Sequence, residues 1–261
     1  MTSSPSLYAV FGQPIDHSLS PVIHNAAFQG ENRPMYYIPV ECAPAELLDK
    51  LEAFRELGGS GVNLTRPLKE LIIPHLKEAS SWVLRTHAAN TLAWHGDGWV
   101  GDNTDCQALL RLLPPAERSN QALILGSGGV ARASQAALEE HGYRVSVAAR
   151  GASQGTWAAN LIHWNERLKA RPWAVVVNAT PLGQIGEEKE PQWPLPQEGG
   201  WAVDWVYRPR RTEFLEQAQE HGAHVLDGLC LLVEQASAAW NSWFGVDGPR
   251  NLMWKAVRPW R

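Results

Sequence analysis

The sequence has few cysteines and no long apolar segment. Its three cysteines, Cys42, Cys106 and Cys230, are widely separated, and an odd number without a close pair argues against a disulfide framework or a zinc site. No apolar run approaches the roughly 18 residues of a membrane span, and the beginning, MTSSPSLYAVFG, lacks the basic and long apolar regions of a signal peptide. We therefore expect a soluble, cytoplasmic protein that binds no metal.

The sequence also lacks an excess of positive charge. Charged residues make up 19% of the chain and the formal net charge is -4, which argues against nucleic acid or an anionic membrane as a partner. Hydrophobic residues reach 44%, enough for a well-buried core, and 261 residues suffice for one large domain or two moderate ones. We expect a small-molecule substrate, bound by a monomer or a homodimer.

Strand-like and helix-like segments alternate along most of the chain. Apolar strands that alternate with amphipathic helices are typical of parallel sheets covered by helices, so the predicted fold class is α/β. The predicted strands include LYAVFG, MYYIPVE, GVNLT, QALILG, YRVSVAAR, WAVVVNAT, GWAVDWV and AHVLDG, and AANTLAWHGDGWVGDN is typical of a hairpin.

The stretch GVNLTRPLKE predicts a strand followed by a short helix that begins near Pro67. Lys69 then lies on the first turn of that helix, where a cation faces the positive end of the helix dipole. Either Lys69 points to water, or a displaced pKa of its amine is useful to the protein.

A glycine turn lies directly between a predicted strand and a predicted helix. In ALILGSGGVARA, the residues Gly126, Gly128, Gly129 and Ala131 form G-x-G-x-x-A, which allows close backbone approach to a pyrophosphate at a helix N-terminus. The alternative is a glycine-tight turn without a ligand. The strand before the motif, the helix after it and the second strand favour a dinucleotide site.

Arg150 ends the second predicted strand, where a site for NAD would carry an acidic residue. Because a guanidinium pairs with a 2′-phosphate through its planar fork, the sequence favours NADP. Gln154 stands where a second basic residue would strengthen this preference. The alternative is that Arg150 is an ordinary solvated side chain.

Several polar residues have ordinary structural interpretations when each is taken alone. Ser18 and Ser20 precede a helix and are suited to an anion, but Ser20 is equally suited to cap that helix. Thr65 and Asp105 are likewise suited to cap the helices that follow them. Singly, each capping interpretation is favoured.

Together these segments resemble one family. AVFGQPIDHSLSP, GVNLTRPLKE, AANTL, GDNTD, ILGSGGVARA, NATPLG and DGLCLLVEQ occur in the order and at the spacing of the shikimate dehydrogenases. The resemblance extends from about Tyr8 to Trp243, and the lysine motif together with GDNTD is specific to the shikimate/quinate dehydrogenase superfamily.

The resemblance implies two domains with an active site in the cleft between them. Residues 1–104 and 228–261 would form an α/β substrate domain, and residues 105–227 a Rossmann-like domain with a doubly wound parallel sheet that binds NADP. The implied reaction is reversible hydride transfer between NADP(H) and a carboxylated ring alcohol or ketone, shikimate or 3-dehydroshikimate, in aromatic amino acid biosynthesis.

The resemblance also implies roles for individual residues. Lys69 and Asp105 match the catalytic pair, with Lys69 acting either as general acid/base or as an electrostatic clamp. The matching substrate-binding residues are Ser18, Ser20, Asn63, Thr65, Asn90, Tyr207 and Gln235. The matching cofactor-binding residues are Gly126, Ser127, Gly128, Gly129, Val130, Ala131, Arg150, Asn178, Thr180 and Gly228.

This sequence departs from the family pattern at a few positions, and two alternatives stay open. Cys106 and Cys230 stand where glycines are usual, and Leu231 stands where a methionine is common. These changes leave the chemistry residues in place but alter the walls around them. The protein is then a shikimate dehydrogenase, a paralogue acting on quinate or another carboxylated cyclic alcohol, or a nucleotide-binding sensor without catalysis.

Overall fold

The structure is a computed structural model that describes residues 6–117, 121–150, 157–158, 160–169, 171–187 and 192–260. It divides the chain into unit 1, Met1–Thr104 with Val233–Arg261, and unit 2, Asp105–Leu232. The sequence predicts the return to the first domain at residue 228, whereas the structure divides the chain at Val233, inside the helix Gly228–Phe244.

Unit 1 contains a six-stranded mixed sheet in the order β2-β1-β3-β5-β6-β4. Strand β1 is parallel to β2 and β3, while β5 runs antiparallel to both β3 and β6. Its strands are β1 (Ser6–Gly12), β2 (Met35–Glu41), β3 (Gly59–Leu64), β4 (Glu78–Ala79), β5 (Thr91–His95) and β6 (Gly98–Asp102). Its helices are α1 (Ser20–Gly30), α2 (Leu47–Glu56), α3 (Ser81–Thr86) and α8 (Arg250–Val257), with 3₁₀ turns at Pro44–Glu46, Ile73–His75 and Arg258–Trp260.

Unit 2 contains a six-stranded sheet in the order β12-β11-β10-β7-β8-β9, in which every pairing is parallel. Its strands are β7 (Gln121–Leu125), β8 (Arg144–Ala149), β9 (Leu161–His163), β10 (Trp173–Asn178), β11 (Trp201–Asp204) and β12 (His224–Leu226). The remaining helices are α4 (Thr104–Leu112), α5 (Gly129–Glu140), α6 (Glu213–Glu220) and α7 (Gly228–Phe244), with a 3₁₀ helix at Trp164–Leu168. Strands β8 and β9 lie on one side of β7, and β10, β11 and β12 lie on its other side. The direction in which strands are added therefore reverses between β7 and β10, the position at which doubly wound sheets bind ligands.

The predicted α/β class is confirmed, and the apolar strands lie where their composition predicts. Every residue of β10 is buried, as expected for a strand covered on both faces. The first sheet is mixed because β5 and β6 form the predicted hairpin. Among the described residues, no helix combines the length and apolar character that a membrane span requires.

Four elements do not follow from the sequence pattern: β4, α3, β9 and α8. Strands β4 and β9 have only two and three residues, too few to show a period of two. Helix α3 has six residues, fewer than two turns, and so it shows no clear apolar face.

The predicted helix at Pro67 is wrong. Residues 66–72 form a series of turns, and the Leu68 N–H donates to Thr65 O at 2.8 Å in a three-residue pattern. The carbonyl of Lys69 accepts from the Ala89 N–H at 2.8 Å, so a tertiary contact takes the place of a helical bond. The expected effect of a helix dipole on Lys69 therefore does not apply.

His24 lies on α1, inside unit 1, and its ring faces Tyr37 of β2. It is fully buried and stacks on Tyr37, with ring centroids 4.4 Å apart and 14° between the ring planes. Neither ring nitrogen has a hydrogen-bond partner among the described residues. Burial lowers the pKa of His24 to about 3, so the imidazole is neutral in the folded protein.

This burial predicts a loss of stability on the acid side. An unfolded histidine gains its proton near pH ~6.5, whereas folded His24 does so only near its pKa of about 3. The contribution of His24 is therefore complete above pH ~6.5 and falls by up to ~1.4 kcal/mol per pH unit as the pH drops toward 3. Urea unfolding at pH 7 and pH 5 measures this effect. Between these two pH values, His24→Phe should lose less unfolding free energy than the wild type.

The exposed residue His95 provides the matched control, because His95→Phe should leave the acid-side loss of stability unchanged. An identical pH dependence in wild type and His24→Phe would contradict the burial of a neutral imidazole.

Candidate functional site

The two serines of HSLSP lie at the start of α1. The helix begins at Ser20, and the residue at its cap position is Leu19, which provides no side-chain hydrogen bond. The Ser18 hydroxyl oxygen accepts from the Ser20 N–H at 3.3 Å. The predicted role of Ser20 as the helix cap is therefore wrong, and Ser18 satisfies the free N–H at this helix start instead.

Ser20, Asn63 and Asn90, which are predicted to bind substrate, belong to one buried polar network in unit 1. The Tyr37 hydroxyl donates to Asn63 Oδ1 at 2.7 Å and also hydrogen-bonds the Ser20 side chain. The amide nitrogen of Asn63 donates to Thr91 Oγ1 at 2.9 Å and to the carbonyl of Asn90 at 3.2 Å. The orientation of the Asn63 amide is therefore fixed from both ends.

Asn90 extends this network to the start of α4. Its side-chain oxygen accepts from the Thr91 hydroxyl at 3.0 Å, from the Thr104 N–H at 2.8 Å and from the Thr104 hydroxyl at 3.1 Å. These bonds fix the first residue of the helix whose second residue is Asp105, which is itself buried.

Tyr37 is a member of this network that the sequence analysis did not identify. Burial raises the pKa of Tyr37 well above its usual value, and the smaller opposing effect of the Ser20 hydrogen bond leaves the hydroxyl protonated. Its position in MYYIPVE indicates an inward-facing strand residue, but its two partners come from other elements. No local signal in the sequence identifies them.

Thr65 and Lys69 follow strand β3. The Thr65 N–H donates to Phe11 O at 2.9 Å, and a Cβ added to Gly12 would lie 1.9 Å from Thr65 Oγ1. Only glycine at position 12 leaves room for this hydroxyl. Lys69 is half-buried in the turns after Thr65.

The remaining predicted site residues lie on other elements. Gln235 is buried on α7, and Tyr207 is half-buried after β11. Lys69 belongs to unit 1 and Asp105 to unit 2. That Lys69, Asp105, Tyr207 and Gln235 meet around one substrate stays a prediction.

The glycine turn of unit 2 has the backbone that its sequence predicts. Gly126 has a φ of +107°, in the left-handed region that favours glycine, and follows β7 directly. Helix α5 begins at Gly129 with Gly128 at the cap position, without a side-chain cap or an acidic residue in the first turn. A Cβ at Gly128 would meet nothing within 4 Å. The space beside Gly128 is therefore open, and an uncapped helix start of this kind leaves room for a pyrophosphate.

Asn178 and Thr180 lie beside this turn, at the end of β10. Asn178 is fully buried, and its side-chain oxygen accepts from the Thr180 hydroxyl at 2.6 Å. A Cβ added to Gly126 would lie 2.9 Å from Ala179 O and 3.0 Å from Thr180 Cγ2. The turns after β7 and β10 thus lie together at the reversal of strand order.

Arg150 follows β8, the neighbour of β7, and its side chain is exposed. Ser127 is also exposed, while Val130 is half-buried and Ala131 is buried within α5. Gly228 is buried, and a Cβ there would lie 2.5 Å from Val206 O, so the start of α7 packs directly on the backbone. Gln154 lies outside the described residues.

Known proteins are similar to this chain in sequence and in fold. A family model described as the shikimate dehydrogenase substrate binding domain matches residues 10–92. A relative from Pelobacter propionicus, a shikimate dehydrogenase (NADP(+)), is 36% identical to this chain, covering 95% of it and 94% of the relative. The chain belongs to the shikimate dehydrogenase family.

Two solved structures of family members extend the likeness to the whole fold. A shikimate dehydrogenase from Aquifex aeolicus is 31% identical with a TM-score of 0.88, covering 99% of both chains. A shikimate 5-dehydrogenase from Thermus thermophilus, solved in complex with NADP(H) and shikimate, is 32% identical with a TM-score of 0.85. That alignment covers 98% of this chain and 100% of the other.

The position of Ser18 predicts a role in binding rather than in chemistry. Its bond with Ser20 uses a hydroxyl lone pair, which leaves the hydroxyl hydrogen for a substrate oxygen. Ser18→Ala should raise the KM for shikimate roughly tenfold or more, the effect of a lost hydrogen bond to a charged group, with a smaller change in kcat.

Steady-state kinetics at saturating NADP measure the Ser18→Ala effect. Ser60→Ala is the matched control, since Ser60 lies on β3 and its hydroxyl, within the described part of the chain, bonds only to the nearby Gly58 O. A normal KM in Ser18→Ala would show that the substrate carboxylate is held elsewhere.

Proposed function

We propose that this protein catalyses reversible hydride transfer between NADP(H) and a ring alcohol or ketone, interconverting shikimate and 3-dehydroshikimate. The observation that carries the proposal is family membership over nearly the whole chain, with both Lys69 and Asp105 present. A cytoplasmic location, a monomeric or homodimeric state and the absence of nucleic-acid partners stay predictions from the sequence.

The geometry of unit 1 supports binding of a polar ring. Asn63 and Asn90 have side chains fixed by Tyr37, Thr91 and Thr104, so little side-chain entropy remains to be lost when a ligand binds. Such prior ordering suits recognition of hydroxyl groups, because a hydroxyl that loses water needs a correctly oriented partner.

The geometry of unit 2 fits the cofactor. The uncapped start of α5, the open space at Gly128 and the left-handed Gly126 suit a pyrophosphate. The exposed Arg150 would pair with a 2′-phosphate. NADP, when bound, supplies or accepts the hydride. The backbone of Gly128 and Gly129 and the Arg150 guanidinium would hold its phosphates.

Reduction of a ketone also requires a proton at the carbonyl oxygen. We assign the group beside this oxygen to the Lys69 ammonium, which either donates the proton or stabilises the negative charge that develops on the oxygen. The carboxylate of Asp105 would fix the direction of the ammonium. In the reverse direction Lys69 would take up the proton of the ring hydroxyl. A sensor without catalysis would need neither residue.

One experiment separates the candidate functions. The protein is incubated with shikimate and NADP, and separately with quinate and NAD, while absorbance of the reduced nicotinamide is followed. The expected result is reduction of NADP in the presence of shikimate. Faster reduction with quinate would identify the paralogue, and cofactor binding without turnover of either substrate would identify the sensor.

Replacement of Arg150 should reveal the basis of cofactor choice. Arg150→Ala should weaken NADP binding by roughly 1.5–3 kcal/mol, the range for a charge-assisted hydrogen bond, and leave NAD binding nearly unchanged. Calorimetric titration with both cofactors measures this difference. Arg144→Ala is the matched control, because Arg144 is exposed at the opposite end of the same strand. Equal losses for both cofactors would remove Arg150 from the phosphate site.

Lys69 and Asp105 should act as one catalytic unit. Lys69→Ala should lower kcat by roughly 10²–10⁴, the range for acid/base groups, and Asp105→Asn should cost a similar factor because it removes the orienting charge. The double variant should be little worse than the poorer single variant. The measurement is kcat in a double-mutant cycle, with Tm as a check on folding.

The exposed pair Lys77 and Asp97, joined at 2.7 Å, provides the matched control for this cycle. Lys77→Ala and Asp97→Asn should leave kcat unchanged. Losses in log kcat that simply add for Lys69 and Asp105 would mean independent roles, and an active Lys69→Ala enzyme would defeat the mechanism.

A further inference from the structure

Unit 2 contains a buried carboxyl group that the proposed reaction does not use. Asp204 ends strand β11 and is fully buried. We propose that Asp204 is a positioning residue that fixes the side-chain amide of Asn178 and thereby holds the turn 178–182 in the shape that receives the cofactor. The inference rests on the proposed function, because it assumes that this turn contacts NADP.

The Asp204 carboxyl group is surrounded by donors from three segments. Its Oδ1 accepts from Asn178 Nδ2 at 3.0 Å and from the Val206 N–H at 2.9 Å. Its Oδ2 accepts from the Thr212 hydroxyl at 2.5 Å. Burial raises the pKa of Asp204 to about 7, against the opposing effect of these three hydrogen bonds.

The bond to Asp204 decides which way the Asn178 amide points. Because Oδ1 of Asp204 accepts, Asn178 must present its NH₂ group to it, and the amide oxygen then faces Thr180. That oxygen accepts from the Thr180 N–H at 3.1 Å and from the Thr180 hydroxyl at 2.6 Å. The second amide hydrogen goes to Leu182 O at 3.0 Å. A rotated amide would place its oxygen against Asp204 Oδ1 and Leu182 O, and its NH₂ group against the Thr180 N–H.

The turn held in this way lies against the glycine turn. Thr180 Oγ1 accepts from the Leu182 N–H at 3.2 Å, so the residues from Asn178 to Leu182 form one bonded set. The carbonyl of Ala179 is so near Gly126 that a Cβ there would lie 2.9 Å from it. A rearranged turn would change the space beside Gly126, where the backbone must stay open to the pyrophosphate.

Thr212 allows the positioning role to be separated from a general contribution to stability. It is the cap of α6, where its hydroxyl oxygen accepts from the Leu215 N–H at 3.4 Å, and it bonds Asp204 on the side away from Asn178. Thr212→Val should destabilise the protein without altering the Asn178 amide. Asp204→Asn keeps an acceptor for both Asn178 and Val206.

The decisive measurement is NADP affinity by calorimetric titration, with Tm recorded for each variant. Asp204→Ala should weaken NADP binding about tenfold, the effect of a lost hydrogen bond to a charged group. Asp204→Asn should stay within about threefold of wild type, and Thr212→Val should lower Tm with unchanged affinity. Wild-type affinity in Asp204→Ala, or an equal loss in Thr212→Val, would overturn the proposal. Asp204→Ser, which leaves room for a water at the Val206 N–H, replaces Asp204→Ala if that variant does not fold.

Hydrogen exchange in the cofactor-free protein tests the positioning role without NADP. The Thr180 N–H should exchange about tenfold faster in Asp204→Ala and at the wild-type rate in Thr212→Val, since it bonds to Asn178 Oδ1. Unchanged exchange in Asp204→Ala would contradict the role of Asp204. If the variants show this exchange pattern but the wild-type protein binds no NADP, the proposed function is contradicted while the effect of Asp204 on the turn is not.

Discussion

Buried polar side chains need hydrogen-bond partners, and this requirement shapes the candidate site in each unit. In unit 1 the amides of Asn63 and Asn90 are joined through Thr91 and anchored by Tyr37 and Thr104. In unit 2 a similar arrangement joins Asn178 to Asp204. Both networks lie where strands end, so the sheets provide rigid positions and the networks fix the direction of each polar group. The predicted binding residues thereby gain orientation before any ligand arrives.

The two networks differ in how their charge is handled. The described bonds among Asn63, Asn90 and Thr91 join neutral groups, for which burial costs little once the hydrogen bonds are made. The network of unit 2 contains the carboxyl group of Asp204. Burial raises the pKa of this group, and hydrogen bonds from three donors act in the opposite direction. If Lys69 and Asp105 act at the substrate as proposed, this neutral network of unit 1 adds no charge of its own to theirs. In unit 2, Oδ1 of Asp204 accepts from two N–H donors and thereby imposes a single orientation on Asn178.

Local signals were sufficient to predict the glycine turn and strand β2. Gly126, Gly128 and Gly129 stand between a strand and a helix, and MYYIPVE coincides with Met35–Glu41. The prediction of a helix at Pro67 failed because the Lys69 carbonyl accepts a hydrogen bond from the N–H of Ala89, twenty residues away in the sequence. Tyr37 and Asp204 were missed for a similar reason, since the asparagines that they bind, Asn63 and Asn178, lie on other strands. The family resemblance supplied the pairing of Lys69 with Asp105, which no local pattern contains.

Unit 2 is one continuous segment of the chain, whereas unit 1 is completed by a second segment that follows unit 2. Helix α8 packs on α1, where a Cβ at Gly30 would lie 2.4 Å from Leu252 Cδ1. On the ribosome, therefore, all of unit 2 is synthesised while α1 still lacks the helix that packs on it. The apolar face of α1 must stay soluble during that interval, so the order of synthesis places the demand for chaperone protection on unit 1.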